Sequence, residues 1–124
     1  MVKKQDEIIC NNIATISPYI RFVGLISSKG TLLAYKRRDK LEPLLNATAT
    51  QNQFSHIARK TDMESKFDKK LGAVKFVWEE REKVQTISFA IGKKRVWVSI
   101  DKKVIRSEML RIIDSCFPIV KNYS

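Results

Sequence analysis

Apolar and polar positions repeat with a helical period in three stretches of this chain and with a strand period in five others. Ile9, Ile13 and Ile16 recur at helical spacing, with Ile8 widening the stripe, which predicts a short amphipathic helix over Gln5–Ile16. Asp6 and Glu7 stand where a first helical turn favours negative charge, and Ser17-Pro18 stops the helix. In Ile20–Ser27 the apolar residues fall on both faces, Ile20, Phe22 and Ile26 against Val23 and Leu25. A strand of that kind must be covered twice, so it belongs inside a sheet with helices above and below. Ser27-Ser28-Lys29-Gly30 predicts a turn that needs a positive φ at Gly30, and Thr31–Tyr35 returns as a half-polar outer strand. Gly24, in mid-strand, predicts a bend or the close approach of a helix.

Beyond the hairpin, Lys36–Lys40 is a charged exit and residues 41–45 form a bridge with apolar anchors. Ala47–Lys70 contains no Gly or Pro and predicts one long helix stopped by Gly72. Its stripe of Phe54, Ile57, Ala58, Thr61, Met63, Phe67 and Leu71 slips slightly at Thr61-Asp62. Three strands follow. Ala73–Glu80 sets Val74, Phe76 and Trp78 against Lys75, Val77 and Glu79. Val84–Ile91 sets Ile87, Phe89 and Ile91 against Thr86, Ser88 and Ala90. Arg95–Asp101 sets Val96, Val98 and Ile100 against Trp97 and Ser99. With a tight turn at Gly92-Lys93-Lys94 they predict an antiparallel meander. Val104–Val120 is a last helix, with Ile105, Met109, Ile112, Ile113 and Cys116 on one side and an end near Phe117-Pro118. The order is α-β-β-α-β-β-β-α, an α+β chain without repeats or low-complexity segments.

Composition changes this picture at one point only. A chain of 124 residues with 44% apolar content is one domain with one core. No apolar run approaches the ~20 residues of a membrane span. The start MVKKQDEIIC lacks the apolar stretch of a signal peptide, so a cytoplasmic protein is expected. Cys10 and Cys116 sit in apolar helical contexts and read as two buried thiols rather than a redox pair. The exception is charge: Lys and Arg number 24 against 13 acids, for a net +11 and a pI near 9.9. Such a balance points to an anionic partner, whether nucleic acid, an acidic protein face or a lipid surface, unless it is simply a solvated lysine-rich surface.

Candidate chemistry is sparse. The four glycines form no phosphate cradle, and no serine sits in a nucleophile elbow. His56, the single histidine, has no partnered nucleophile and makes a Cys/His zinc site implausible. Glu79, Glu80 and Glu82 occupy a polar connection beside Arg81 and Lys83. Trp78 and Trp97 could stack nucleic-acid bases, but Trp78 shares a face with Val74 and Phe76, and Trp97, opposite the Val96/Val98/Ile100 stripe, belongs beneath the long helix or at a helix-packed edge. No catalytic residue, metal ligand or cofactor is expected.

The element order, the IRFVGLISSKGTLLA hairpin, the long helix running into FDKKLGAVKFVWEEREKVQTISFAIG, and the VWVSID strand together resemble the roadblock/dynein light chain (LC7-like, longin/profilin-like) superfamily. More narrowly they resemble a small group of archaeal proteins with that fold. The resemblance runs from about Ile20 to Ile113 and rests on strand and turn patterns. It implies a single domain over 1–124: a five-stranded antiparallel sheet, order 2-1-5-4-3, flanked by helices on both faces. It also implies dimerisation through the middle helix and third strand, with Phe54, Ile57, Phe67, Val74, Phe76, Val77 and Trp78 as interface residues. The function implied is a non-catalytic scaffold or regulator that binds another protein, with small GTPases as a partner class. Two other readings stay open: a basic binder of nucleic acid or anionic surfaces, and a sensor holding a small molecule between sheet and helix. Under the implied strand order, Lys36, Arg37, Arg38 and Lys40 leave the sheet at the same end as Lys102, Lys103 and Arg106. Those residues are therefore expected to form one basic, partner-binding edge.

Overall fold

The computed structural model describes residues 2–39, 41 and 43–124. Helix α1 (Val2–Ala14) leads into strands β1 (Ile20–Ile26) and β2 (Leu32–Arg37). Helix α2 (Ala47–Glu64) passes through a 3-10 turn at Ser65–Phe67 into the short α3 (Asp68–Leu71). Strands β3 (Phe76–Glu80), β4 (Val84–Ile91) and β5 (Lys94–Asp101) follow, and then helix α4 (Arg106–Tyr123). The five strands form one antiparallel sheet in the order β2-β1-β5-β4-β3, so the doubly apolar β1 is interior, as its pattern requires. None of the described helices is long and apolar enough to cross a membrane.

The two faces of the sheet are covered unequally. On one face α1 and α4 build the main core. Ile9, Cys10 and Ile13 meet Val23, Leu25, Ile87, Phe89, Val96, Val98 and Ile100, together with Met109, Ile112, Ile113 and Cys116. Phe117 closes it by packing edge-on against Phe89 (5.3 Å) and Phe76 (5.8 Å). On the other face a small cluster of Phe22, Ile26 and Phe54 is flanked by Leu32, Ile57 and Trp97. Phe54 is the one buried residue of α2, and full burial of such a ring contributes roughly 1.5–3 kcal/mol. Trp97 lies beneath α2, 5.7 Å from Phe54.

Local chemistry positions α2. Asn46 caps its N-terminus by accepting the Ala49 N–H at 2.8 Å. Gly30 adopts φ 88°, and a Cβ there would stand 2.9 Å from the Phe54 carbonyl, so the β1–β2 turn lies directly on the helix backbone. Gln51 clamps the same place by donating from Nε2 to the Gly30 carbonyl (3.1 Å).

Several local expectations are revised. The slip at Thr61-Asp62 foreshadows a real break, since the long helix ends at Glu64 and re-forms only as α3. Helix α4 does not stop at Pro118 but runs on to Tyr123, with the proline on its exposed side, where water can serve the unpaired carbonyl. Asp6 is no helix-start charge. The helix begins at Val2, and the Asp6 carboxylate is buried and accepts from Lys94 Nζ at 2.9 Å. Gly24 makes room for side chains rather than a helix, since a Cβ would meet Phe22 Cε1 at 2.8 Å and Leu32 Cδ1 at 3.0 Å. The third strand starts at Phe76, which leaves Val74 on its approach.

Candidate functional sites: a basic edge, a bare strand and a cleft

Strands β2 and β5 both run antiparallel to β1, hence parallel to each other, and they leave the sheet at the same end. This brings Lys36, Arg37 and Arg38 to the end that also carries Lys102, Lys103 and Arg106, while Lys40 lies outside the described residues. The cations are not equivalent there. Arg38 donates to Asp101 Oδ2 (3.0 Å) and to the Pro18 carbonyl (3.0 Å), and Arg21 donates to Asp101 Oδ1 at 3.2 Å. Burial pushes the Asp101 carboxyl up, but the hydrogen bonds and charges of Arg38 and Arg21 outweigh it and hold it below the usual carboxylate range. Arg106 grips Glu80 with two bonds, at 2.8 and 3.2 Å, and its hydrogen bonding lowers the Glu80 carboxyl. The mixed-charge β3–β4 turn is thereby tied to the start of α4. Lys103 stands over the Tyr19 ring at 5.8 Å, and Lys36 and Lys102 are exposed. Arg37 points to the α2 side, its guanidinium 4.8 Å above the Phe22 ring.

The sheet has two edges, and they differ. Helix α1 packs closely against β2, whereas β3 ends the sheet on its other side and has no comparably close helix among the described residues. The residues expected at an interface distribute as follows. Phe54 is 1% exposed and belongs to the protomer's own interior. Phe76 and Trp78 pack half-buried on the α1/α4 core, and Trp78 Nε1 donates to Gln85 Oε1 at 3.2 Å. Ile57 flanks the Phe54 cluster, and Val74 and Val77 are half-buried. Phe67 is 62% exposed, and Met63 (59%) and Leu71 (82%) continue its apolar strip. Lys60 Nζ reaches Glu79 Oε2 at 3.5 Å, which places this side of α2 over β3. Met63 and Phe67 then form a groove of about 490 Å³ with His56, Arg59 and Lys60.

A feature that no sequence motif marks is a cleft of about 720 Å³ on the α2 face, at the basic end of the sheet. Pairing registers align Arg37, Phe22, Ser99, Thr86 and Glu79 in one row across all five strands. All of this row except Glu79 lines the cleft, with Trp97 one pleat away. Leu41, Pro43, Leu44 and Leu45 form one wall, and the turn Glu80–Lys83 forms the opposite one. The signal was in the sequence: Thr86, Ser88 and Ser99 place small hydroxyls opposite the apolar stripes of β4 and β5. A face of that kind does not fill itself.

The remaining candidates are quiet. Cys10 and Cys116 are free and buried, and burial pushes both thiols up to about 12, Asp6 adding to the rise at Cys10. Among the described residues no three His, Cys, Asp or Glu side chains gather as a metal site would require.

Residues 1–118 match DUF6659, a family of unknown function. No curated protein matches the chain. Among solved structures it is similar to a roadblock/LC7 domain from Streptomyces avermitilis, with TM-score 0.69 and 11% identity over 94% of this chain and 92% of that one. It is also similar to Myxococcus xanthus MglB, with TM-score 0.70 and 15% identity over 98% and 89%. A further MglB structure, described as a tetrameric arrangement, aligns with TM-score 0.72 and 13% identity over 98% and 89%. The roadblock/LC7 fold expected from the hairpin and meander is therefore the fold of this chain. Identities this low speak for the fold alone.

Proposed function

The chain belongs to DUF6659, a family of unknown function, and we propose that it is a non-catalytic regulatory scaffold that acts as a homodimer and binds another protein. The observation that carries this reading is the bare outer edge of β3 beside the exposed Met63, Phe67 and Leu71. An unpaired strand edge next to an apolar strip is an aggregation hazard unless a second chain covers both. Antiparallel pairing of two β3 strands would continue the sheet across a two-fold axis and bring the two α2 helices together. The tetrameric arrangement described for an MglB of the same fold fits a surface made for self-assembly.

Two further points support a role without catalysis: both thiols are sealed and protonated, and His56 is an exposed helix residue. The partner class that the fold suggests is a small GTPase, met at the basic end through Lys36, Lys102 and Lys103. Light scattering at micromolar concentration should give twice the 14.4 kDa of one chain. A strictly monomeric protein would remove the scaffold dimer. Small GTPases of the same host, titrated with the dimer, should change their rate of nucleotide hydrolysis or exchange. If none binds, the GTPase class is lost while the dimer stands.

A further inference from the structure

The geometry of the cleft beside Trp97 points to a binding site for a planar aromatic anion, its ring lying on the indole and its acid group held by Arg37. The cleft volume of about 720 Å³ lies within the range of roughly 300–1,000 Å³ usual for small-molecule sites. Trp97 lines it, and among the described residues no ring lies parallel to the indole: Phe22 is tilted by 58° and Phe54 by 72°. A flat ring can therefore add the stacked arrangement that the protein itself leaves unmade.

Polar groups are available where such a ligand would sit. The Trp97 indole N–H has no acceptor among the described residues, unlike that of Trp78. Ser99 is 7% exposed, and its hydroxyl likewise has no partner among the described residues. Neither atom is sealed from solvent, so water serves both in the free protein and a ligand that displaces it can take over their hydrogen bonds.

The charge of the lining selects an anion. Of its cations, Arg21 is already bound by Asp101, and of its carboxylates, Glu80 is already bound by Arg106. Among the described residues this leaves Arg37, Arg81 and Lys83 without ion pairs against Glu82. Arg37 is preset by its seat on Phe22, and a guanidinium can hold a carboxylate or phosphate through two bonds.

The test uses the full chain labelled with nitrogen-15 and titrated separately with guanosine monophosphate, indole-3-acetate and inorganic phosphate. The two aromatic anions should shift the Trp97 indole signal and the Ser99 amide saturably in the millimolar range or below. The Trp78 indole, bonded on the opposite face, should stay still. If only one of the two binds, the acid group is identified as phosphate or carboxylate. Arg37→Ala should weaken binding by about tenfold, the loss of one charge-assisted contact. Val77→Lys, outside the cleft, should leave binding unchanged whatever it does to assembly, so this site and the dimer can fail separately. No saturable shift with either aromatic anion overturns the proposal. So does equal binding by inorganic phosphate alone, or an affinity that Arg37→Ala does not alter.

Discussion

Asp101 shows what one carboxylate does at the end of the sheet. It sits at the last position of β5 and receives Arg21 from β1 and Arg38 from just beyond β2, joining three neighbouring strands. Arg38 is about one-third exposed, which weakens its share by solvent screening. Asp101→Asn should therefore cost about 1–2 kcal/mol at neutral pH. The carboxyl is held below its unfolded value. Its contribution is thus complete above about pH 4 and is lost as pH falls through the lower folded value. Urea titrations of both proteins should show the gap at pH 7 closing in acid, and a gap of constant size would mean the ion pairs contribute nothing. Cys10 and Cys116, with thiols near 12, should react with a thiol reagent at pH 8 only as fast as the protein unfolds. Rapid native labelling would show that the main core opens locally.

At the scale of elements, α2 is the lightly held part of the fold. A single buried ring, an Asn46 cap and the contact with Gly30 attach it, whereas α1 and α4 share a continuous core. Gly30→Ala would place a methyl 2.9 Å from a helix carbonyl at a positive φ, and the expected cost is about 2–3 kcal/mol. Hydrogen exchange should locate the loosening in α2 and leave α4 protected; uniform loss would indicate that α2 is not a separate unit. The strand at the opposite edge makes a different prediction. Val77→Lys adds charge to β3, and Phe67→Glu does so on the strip beside it. Each should shift the dimer to monomer with the melting temperature of the protomer retained. A dimer that survives both changes uses another surface.

Over the whole molecule, charge acts in two opposing ways. A protomer of +11 repels its copy, and Arg59, Lys60, Lys66, Lys69 and Lys70 lie on or just beyond α2, close to the proposed contact. Salt screens that repulsion over about 8–10 Å, so sedimentation equilibrium should show the dimer tightening as salt is raised. Binding to an acidic partner at the basic edge should weaken under the same change. If dimerisation also weakens with salt, cross-chain ion pairs and not apolar contact hold it. The edge itself can be probed with Lys36, Lys102 and Lys103, none of which has an ion pair among the described residues. Reversing those three to glutamate should abolish partner binding with little change in melting temperature. Arg38 is unsuited to that test because its charge also holds Asp101.

Periodicity in the sequence was enough for the element order, the meander and the doubly covered β1, because burial imposes a period of two on strands and near 3.6 on helices. The pattern of β5 left Trp97 beneath α2 or at a helix-packed edge, and the tertiary structure puts it beneath α2; turn chemistry rather than periodicity called for the positive φ at Gly30. Strand order came from resemblance, since local patterns do not say which strands become neighbours. Only the tertiary structure decided which charges remain available. Arg38, Arg106 and Asp6 look like ordinary solvated residues in one dimension, yet each meets a partner far away in the chain: Asp101, Glu80 and Lys94. The cleft has the same origin. Its floor is a row drawn from β2, β1, β5 and β4, and its walls come from two connections that are distant in sequence. A concave surface of this kind exists only after the sheet has paired, because pairing is what sets Arg37, Phe22, Ser99 and Thr86 side by side.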